Sequence, residues 1–390
     1  MPLTPQDELH LARAIALARE AAGLASPNPT VGCVLARGQT TLGEGAHRYD
    51  NRDHAEIAAL KQAAAAGHNV QGATAYVTLE PCAHHGRTGP CADALIAAGI
   101  ARCVVATVDP NPLVSGKGLA KLHAANVEVV IAQGALADEA RRLNDAFAHF
   151  IQHRRPFITL KAGLSVDGKL APPPSTRTAT APHWITGAAA RADALLLRHT
   201  NDAILTGIGT VLADNPSLID RSGLERRRPL LRVVLDSNLR IPLTSTLVTS
   251  AKHDLLILCS ASASADLETE LRSRNVEIVR LSTQGNNLDL NAALNALAER
   301  NILSVLLEAG SAINGGFLRA DLVDKLVLYY AEQELGLDAI PFAQDFASPY
   351  VVQQKLTQTT RATFPNGDTE DARITGYLHD PWTQSLTTSH

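Results

Sequence analysis

Two hydrophobic rhythms alternate along the first 150 or so residues. Residues 7–22, DELHLARAIALAREAA, place apolar side chains at helical spacing. VGCVLARG (31–38) and TTLGEGAH (40–47) read as a hairpin of two strands. HAEIAALKQAAAA (54–66) is rich in alanine, the strongest helix former. ATAYVTL (73–79) and RCVVATV (102–108) are buried strands, separated by the helix ADALIAAG (92–99). A helix over 116–126, a strand over 127–132 and an amphipathic helix over 138–152, DEARRLNDAFAHFIQ, complete the segment. The pattern predicts a three-layer α/β domain over 1–152.

HRRP (153–156) reads as a connector, and a second alternation begins at FITLKAGLS (157–165). Further strands are expected at 202–208, 230–237, 253–260, 276–281, 304–310 and 325–331. Helices are expected at 185–200 and 288–300. QKLTQTTRATF (354–364) and ARITGYLH (372–379) predict an antiparallel pair at a sheet edge. The proline-rich APPPSTRTATAP (171–182) has no periodicity and reads as a surface loop. Residues 153–390 thus form a second α/β domain, with no internal repeat between the halves.

Composition narrows the function classes. The 390 residues are 45% hydrophobic and 19% charged, enough apolar material for two cores. A net charge of −4 without a basic block weighs against a nucleic-acid backbone as partner. The first residues lack the basic start and long apolar core of a secretory leader, and no run of about eighteen apolar residues is present to span a membrane. Five cysteines in a chain of this length do not make a disulfide scaffold, which points to the reducing cytoplasm. The partners expected are small molecules, with room for a homo-oligomer.

One stretch concentrates chemistry. EPCAHHGRTGPC (80–91) holds two cysteines and two histidines between a strand and a helix. His54 opens a helix, Cys82 follows a strand and Cys91 begins the next helix. One imidazole and two thiolates leave a fourth zinc position for water, which zinc activates near neutral pH. Glu56, two residues after His54, is placed to shuttle protons without binding metal. That is the arrangement of zinc nucleobase deaminases. Here eight residues separate Cys82 from Cys91, and the enlarged loop carries Arg87, a good phosphate partner. A structural zinc site built from Cys82, Cys91 and His84 or His85 is the bland alternative. Cys33, Cys103 and Cys259 read as inert packing.

On these residues the first domain resembles the deaminase half of the bifunctional riboflavin-biosynthesis deaminase–reductases, the RibD family. The matching segments are PNPTVGCV, GEGAH, HAE, AYVTLEPCAHHGRTGPCADALIAAGI and DPNPLVSGKG. The resemblance implies a cytidine-deaminase-like fold and deamination of 2,5-diamino-6-(5-phosphoribosylamino)pyrimidin-4-one. Asn28 and His47 look like pocket residues around base and ribose, and Asp109 and Asn111 fall in the family's DPNP segment. Asn51 and Asp53 stand where the family carries a small residue and a proline before the zinc histidine.

LKAGLSVDGK, WITG, ILTGIGTVLADNPSLIDR and LLEAGSAINGGFL look like the family's reductase domain, similar to dihydrofolate reductase. This implies NADPH-dependent reduction of ribosyl to ribityl. Gly163, Trp184, Thr186, Thr210, Asp214, Ser237 and Gly310 would contact cofactor, and Arg198, Leu218, Arg221 and Glu308 substrate. Without the resemblance, EAGSAINGG is only a glycine-rich turn whose amides suit phosphate, and Arg198 a solvated helix residue. Pro182 replaces a serine that the family places two residues before the tryptophan; Thr180 or His183 is named as its stand-in. The rivals are a tRNA or nucleoside deaminase with a non-catalytic second domain, and a non-enzymatic zinc module.

Overall fold

A computed structural model of the chain describes residues 2–84, 89–112, 114–176, 184–285 and 287–382. The chain forms two compact units. One comprises Met1–Arg154, Glu225–Arg228 and Pro381–His390, the other Arg155–Leu224 and Pro229–Asp380.

Among the described residues the first unit has a five-stranded sheet of β1 (Gly32–Arg37), β2 (Thr40–Ala46), β3 (Thr74–Val77), β4 (Arg102–Val105) and β5 (Glu128–Ile131). The spatial order is β2-β1-β3-β4-β5. β1 is antiparallel to both neighbours, whereas β3, β4 and β5 run parallel. Alternate side chains of a strand face opposite ways, and here both faces are covered. Cys33 and Leu35 pack with helices Ala55–Ala65, Cys91–Ala97 and Lys117–Ala124. Val34 and Ala36 pack with Pro5–Glu20 and Ala135–Arg142. The result is helix, sheet, helix.

Two local features position the chemistry. A Cβ on Gly45 would lie 2.5 Å from the Ala55 carbonyl oxygen and 2.5 Å from the Ala59 nitrogen. Glycine there lets the alanine-rich helix that begins at His54 rest directly on β2. The helix expected over 138–152 is instead two helices, Ala135–Arg142 and Asp145–His153. Asn144 causes the break. Its side chain accepts from the Thr30 amide (2.7 Å) and donates to the Thr30 carbonyl (3.0 Å), so the residue serves a distant strand approach rather than a continuous helix.

In the second unit, again among the described residues, nine strands form one sheet. From edge to edge they are Val276–Leu281, Leu255–Ser260, Leu231–Leu235, Ala203–Gly207, Ser304–Leu307, Phe157–Ser165, Lys325–Ala331, Thr369–Tyr377 and Thr357–Asn366. The first seven are parallel and the last two add an antiparallel hairpin at the edge, as the tail pattern predicts. One face packs Ile158, Leu160 and Leu164 with Leu294, Leu297 and Phe317, the other Ile204, Val234 and Ile257 with Leu247 and Leu271. Burial on both faces explains the nearly continuous apolar strands. Helices Ile208–Asp214, Ala265–Arg272 and Ser311–Arg319 go beyond the sequence pattern. Within the 171–182 loop, Pro174–Thr176 forms a 3-10 turn; Thr180, Pro182 and His183 lie outside the described residues. No helix among the described residues is long and apolar enough to cross a membrane.

Candidate active sites

Three elements of the first unit converge. His54 is the N-cap of Ala55–Ala65, Cys91 opens the helix Cys91–Ala97, and Cys82 lies on the segment leaving β3. His54 Nδ1 is 3.6 Å from Cys82 Sγ and 3.2 Å from Cys91 Sγ. Among the described residues these three form the one group of potential metal ligands, with all donor atoms within 4.8 Å of one another. Zinc–sulfur and zinc–nitrogen bonds of about 2.3 and 2.0–2.1 Å in tetrahedral geometry put nitrogen and sulfur about 3.5 Å apart. The donor set and its spacing therefore fit zinc. His84 is exposed and not part of the group, and His85 and Arg87 lie outside the described residues.

Electrostatics prepare the ligands. The Cys91 thiol, His54 and the Cys91 backbone N–H (3.3 Å from Cys82 Sγ) hold the Cys82 thiol well below its ordinary value, against the opposing effect of burial. The resulting thiolate, with burial, pushes Cys91 up. Glu56 is 3% exposed, and burial pushes its carboxyl up to about 7. A carboxyl group near neutrality can both take up and release a proton. Cys33 and Cys103 are fully buried thiols raised by that burial, consistent with packing.

Asn28 and His47 join this site. The Asp53 carbonyl can only accept, so His47 Nδ1 carries the proton that it donates there (2.8 Å). His47 Nε2 is then left to accept from Asn28 Nδ2 (3.1 Å). Burial lowers the His47 pKa, which keeps the ring neutral, and its edge meets the His54 ring at 5.3 Å. The unusual segment before His54 is accommodated. Arg52 adopts a left-handed turn (φ 63°) and the Asp53 carboxylate pairs with Lys61 (2.7 Å). Asp109, raised to about 6 mainly by burial, accepts from the Asn111 amide (2.8 Å).

The second site gathers where parallel strands end. Glu308, just after Ser304–Leu307, receives a two-pronged bond from Arg198 (Nε to Oε1 3.1 Å, Nη2 to Oε2 3.0 Å). Lys161 lies 3.8 Å away and over the Tyr329 ring. Burial works to raise the Glu308 carboxyl, but Lys161 and Arg198 hold it below its ordinary value. Arg198 is thus committed to Glu308 and to the Ile219 carbonyl (3.2 Å), whereas Arg221 is exposed and donates to Ser217. Leu218 is 4% exposed and packs in the core, with its backbone in the left-handed region at φ 51°. Lys161 escapes pattern reading, although a lysine inside the apolar run FITLKAGLS is a signal.

Gly310 is the N-cap of Ser311–Arg319. A Cβ there would come no nearer than 3.8 Å to Thr210 Oγ1, and Ser311 Oγ is buried without a hydrogen-bond partner. A helix start with bare backbone and an orphaned hydroxyl suits the phosphates of a dinucleotide. Asp214 ends the helix that carries Thr210, and the Ser237 carbonyl accepts from the Ser260 amide (3.0 Å) at the same strand ends. Gly163 lies beside Thr186, and Trp184 is 65% exposed with Arg191 stacked on it.

Fold and site together define a zinc-dependent, cytidine-deaminase-like domain followed by a dihydrofolate-reductase-like domain. Residues 4–107 match the cytidine and deoxycytidylate deaminase zinc-binding region, and 156–363 match the RibD C-terminal domain. The riboflavin biosynthesis protein RibD of Actinobacillus pleuropneumoniae is 39% identical over 333 residues, 85% of each chain. The structure of Acinetobacter baumannii RibD is 35% identical, covers 95% of this chain and 98% of that one, and superposes with a TM-score of 0.77. A Thermotoga maritima structure, described as a diaminohydroxyphosphoribosylaminopyrimidine deaminase/5-amino-6-(5-phosphoribosylamino)uracil reductase, is 32% identical over 95% and 99% of the chains, with a TM-score of 0.79. The chain belongs to the RibD family, the bifunctional zinc- and NADPH-dependent deaminase–reductases of riboflavin biosynthesis.

Proposed function

We propose that residues 1–152 deaminate 2,5-diamino-6-(5-phosphoribosylamino)pyrimidin-4-one and that residues 153–390 reduce the product, 5-amino-6-(5-phosphoribosylamino)uracil, to its ribityl form. The observation that carries this reading is the pairing, in one chain, of the His54–Cys82–Cys91 group beside buried Glu56 with the Arg198–Glu308 site beside Gly310. Zinc held by His54, Cys82 and Cys91 supplies a Lewis acid that lowers the pKa of water towards neutrality. Glu56 would move two protons in turn: one from water to the substrate ring nitrogen as the C–O bond forms, then one from the new hydroxyl to the amino group as the C–N bond breaks. Water enters, ammonia leaves and a carbonyl replaces the amine. Asn28 and His47 hold base and ribose, Asp109 and Asn111 close the pocket, and Arg87 binds the 5′-phosphate.

In the second reaction bound NADPH would supply the hydride for the ribosyl C1′, while the bond from C1′ to the ring oxygen breaks and that oxygen takes up a proton to give the ribityl hydroxyl. Gly310 and Thr210, with Gly163, Thr186, Trp184, Asp214 and Ser237, hold the cofactor. Arg221 meets the substrate phosphate, and Glu308, anchored by Arg198, accepts ribose hydroxyls, with Leu218 as a further substrate contact. Both substrates are small molecules, not nucleic acid, and the compartment is the cytoplasm. The test is an assay of purified protein with the diaminopyrimidine, with and without NADPH. Ammonia release without NADPH, and NADPH oxidation only once deaminated product is present, is the expected result. Deamination with no NADPH oxidation would reduce the assignment to a deaminase alone.

A further inference from the structure

Glu80 stands immediately before Pro81 and Cys82, in a position that carries no role in the reading above. It is 3% exposed, so its carboxylate must be compensated. The compensation comes from backbone amides that are distant in sequence. Oε2 accepts from the amides of Asp109 (3.2 Å) and Gly116 (2.9 Å), and Oε1 from those of Gly118 (2.8 Å) and Leu119 (3.3 Å). Gly116 is the N-cap of helix Lys117–Ala124, so the carboxylate also meets the positive end of that helix. The contact is close on the other side as well: a Cβ on Gly118 would lie 1.9 Å from the Pro81 carbonyl oxygen. Carboxylate and glycine together lock Asp109 and the stretch from Gly116 to Leu119 against the segment that delivers Cys82.

We infer that Glu80 is a positioning residue for deamination, fixing the loop of Asp109 and Asn111 at a set distance from the metal-ligand segment. This rests on the proposed deaminase reading, in which that loop closes the substrate pocket. The hydrogen bonds to the Glu80 carboxylate come from four backbone amides and not from His54, Cys82 or Cys91, so it acts through those amides. Two oxygens accepting two bonds each require a carboxylate. Glutamine would turn an NH2 group towards two N–H donors, and aspartate is one methylene too short to reach them.

The experiment compares Glu80→Gln with wild type in the zinc-loaded full chain. Deaminase KM is expected to rise about tenfold, while kcat per zinc-containing chain stays within about threefold. Zinc content and reductase activity should be unchanged. Hydrogen exchange should speed up at the amides of Asp109, Gly116, Gly118 and Leu119 and not along Ala55–Ala65. An unchanged KM with kcat falling in step with the folded fraction would overturn the inference, because a purely structural carboxylate gives that result. Loss of zinc would overturn it too, since Glu80 would then be holding Cys82 itself. If the variant does not fold, wild type carries the test: saturating deaminated product should slow exchange at the four amides together, and no change there refutes the link. Failure of wild type to deaminate would sink the proposed function, whereas normal wild-type activity with an unaltered KM in Glu80→Gln sinks only this inference.

Discussion

Glu56→Gln separates the chemistry of the first site from its stability. The isosteric amide should leave zinc content unchanged, since Glu56 is not a ligand, yet remove a proton carrier worth about 10²–10⁴-fold in rate. Reduction of already deaminated substrate should be unaffected. The same change tests the burial argument in chelator-treated protein. Burial raises the Glu56 carboxyl from 4.5 to about 7. A group whose folded pKa lies above its unfolded value binds more protons when folded, so stability falls as pH rises between the two values. At about 1.4 kcal/mol for each pH unit, the rise amounts to about 3 kcal/mol. Glutamine carries no such penalty. Relative to wild type, the metal-free variant should gain about 1 kcal/mol at pH 5 and about 3 kcal/mol at pH 8, plus a constant that cancels in the comparison. Denaturant unfolding of the two proteins across this range measures it. Parallel pH profiles would refute the reasoning: Glu56 would then be solvated or compensated, and its burial could not tune it for proton transfer.

Three further outcomes follow from packing and charge. Asp7 accepts from Thr4, Tyr76 and Arg102; although burial works to raise its pKa, these bonds, that of Arg102 foremost, hold it well below 3.8. Asp7→Asn should therefore destabilise the first unit by about 2–3 kcal/mol at pH 7, under the range for a fully buried pair because Arg102 keeps 23% of its side chain exposed. This contribution is present in full above pH ~4 and lost below it, so the gap between the two chains should close on acidification, as followed by unfolding midpoints. Arg198→Ala should lower reductase kcat/KM about 10–100-fold by removing two charged hydrogen bonds from Glu308, and lysine should not restore it because it lacks the two-pronged geometry. Gly45→Ala should push the Ala55–Ala65 helix off β2, costing about 1–3 kcal/mol, and lower zinc content and deaminase activity together while reductase activity persists. Intact zinc binding in Gly45→Ala would show that the helix tolerates the shift.

What the sequence reveals depends on how local each cause is. His54, Glu56, Cys82 and Cys91 are legible because ligand type and placement at helix starts are properties of short segments. The apolar strands are legible for the same reason. The break at Asn144 is not, because the competing partner, Thr30, lies 114 residues away. Glu80 is silent because its partners are backbone amides, which carry no side-chain signature. Arg198 and Glu308 are individually suggested by family resemblance as substrate contacts, but their pairing across 110 residues makes Arg198 an anchor for a carboxylate.

Three buried carboxylates show how environment divides the work. Glu80 is met by four backbone amides and Glu308 by two cationic side chains, which hold the Glu308 carboxyl below its ordinary value. A carboxylate held by cations, as Glu308 is, is a poor proton carrier, because taking up a proton forfeits the interactions that hold it. Glu56 has no lysine or arginine partner among the described residues, and burial leaves its charged and neutral forms near balance at about 7. Unlike Glu308, it has an environment suited to accepting and releasing a proton at physiological pH. Exchanging these environments would exchange the roles: a cation introduced beside Glu56 would anchor it as Glu308 is anchored, and the site would keep its metal ligands while losing its acid–base group.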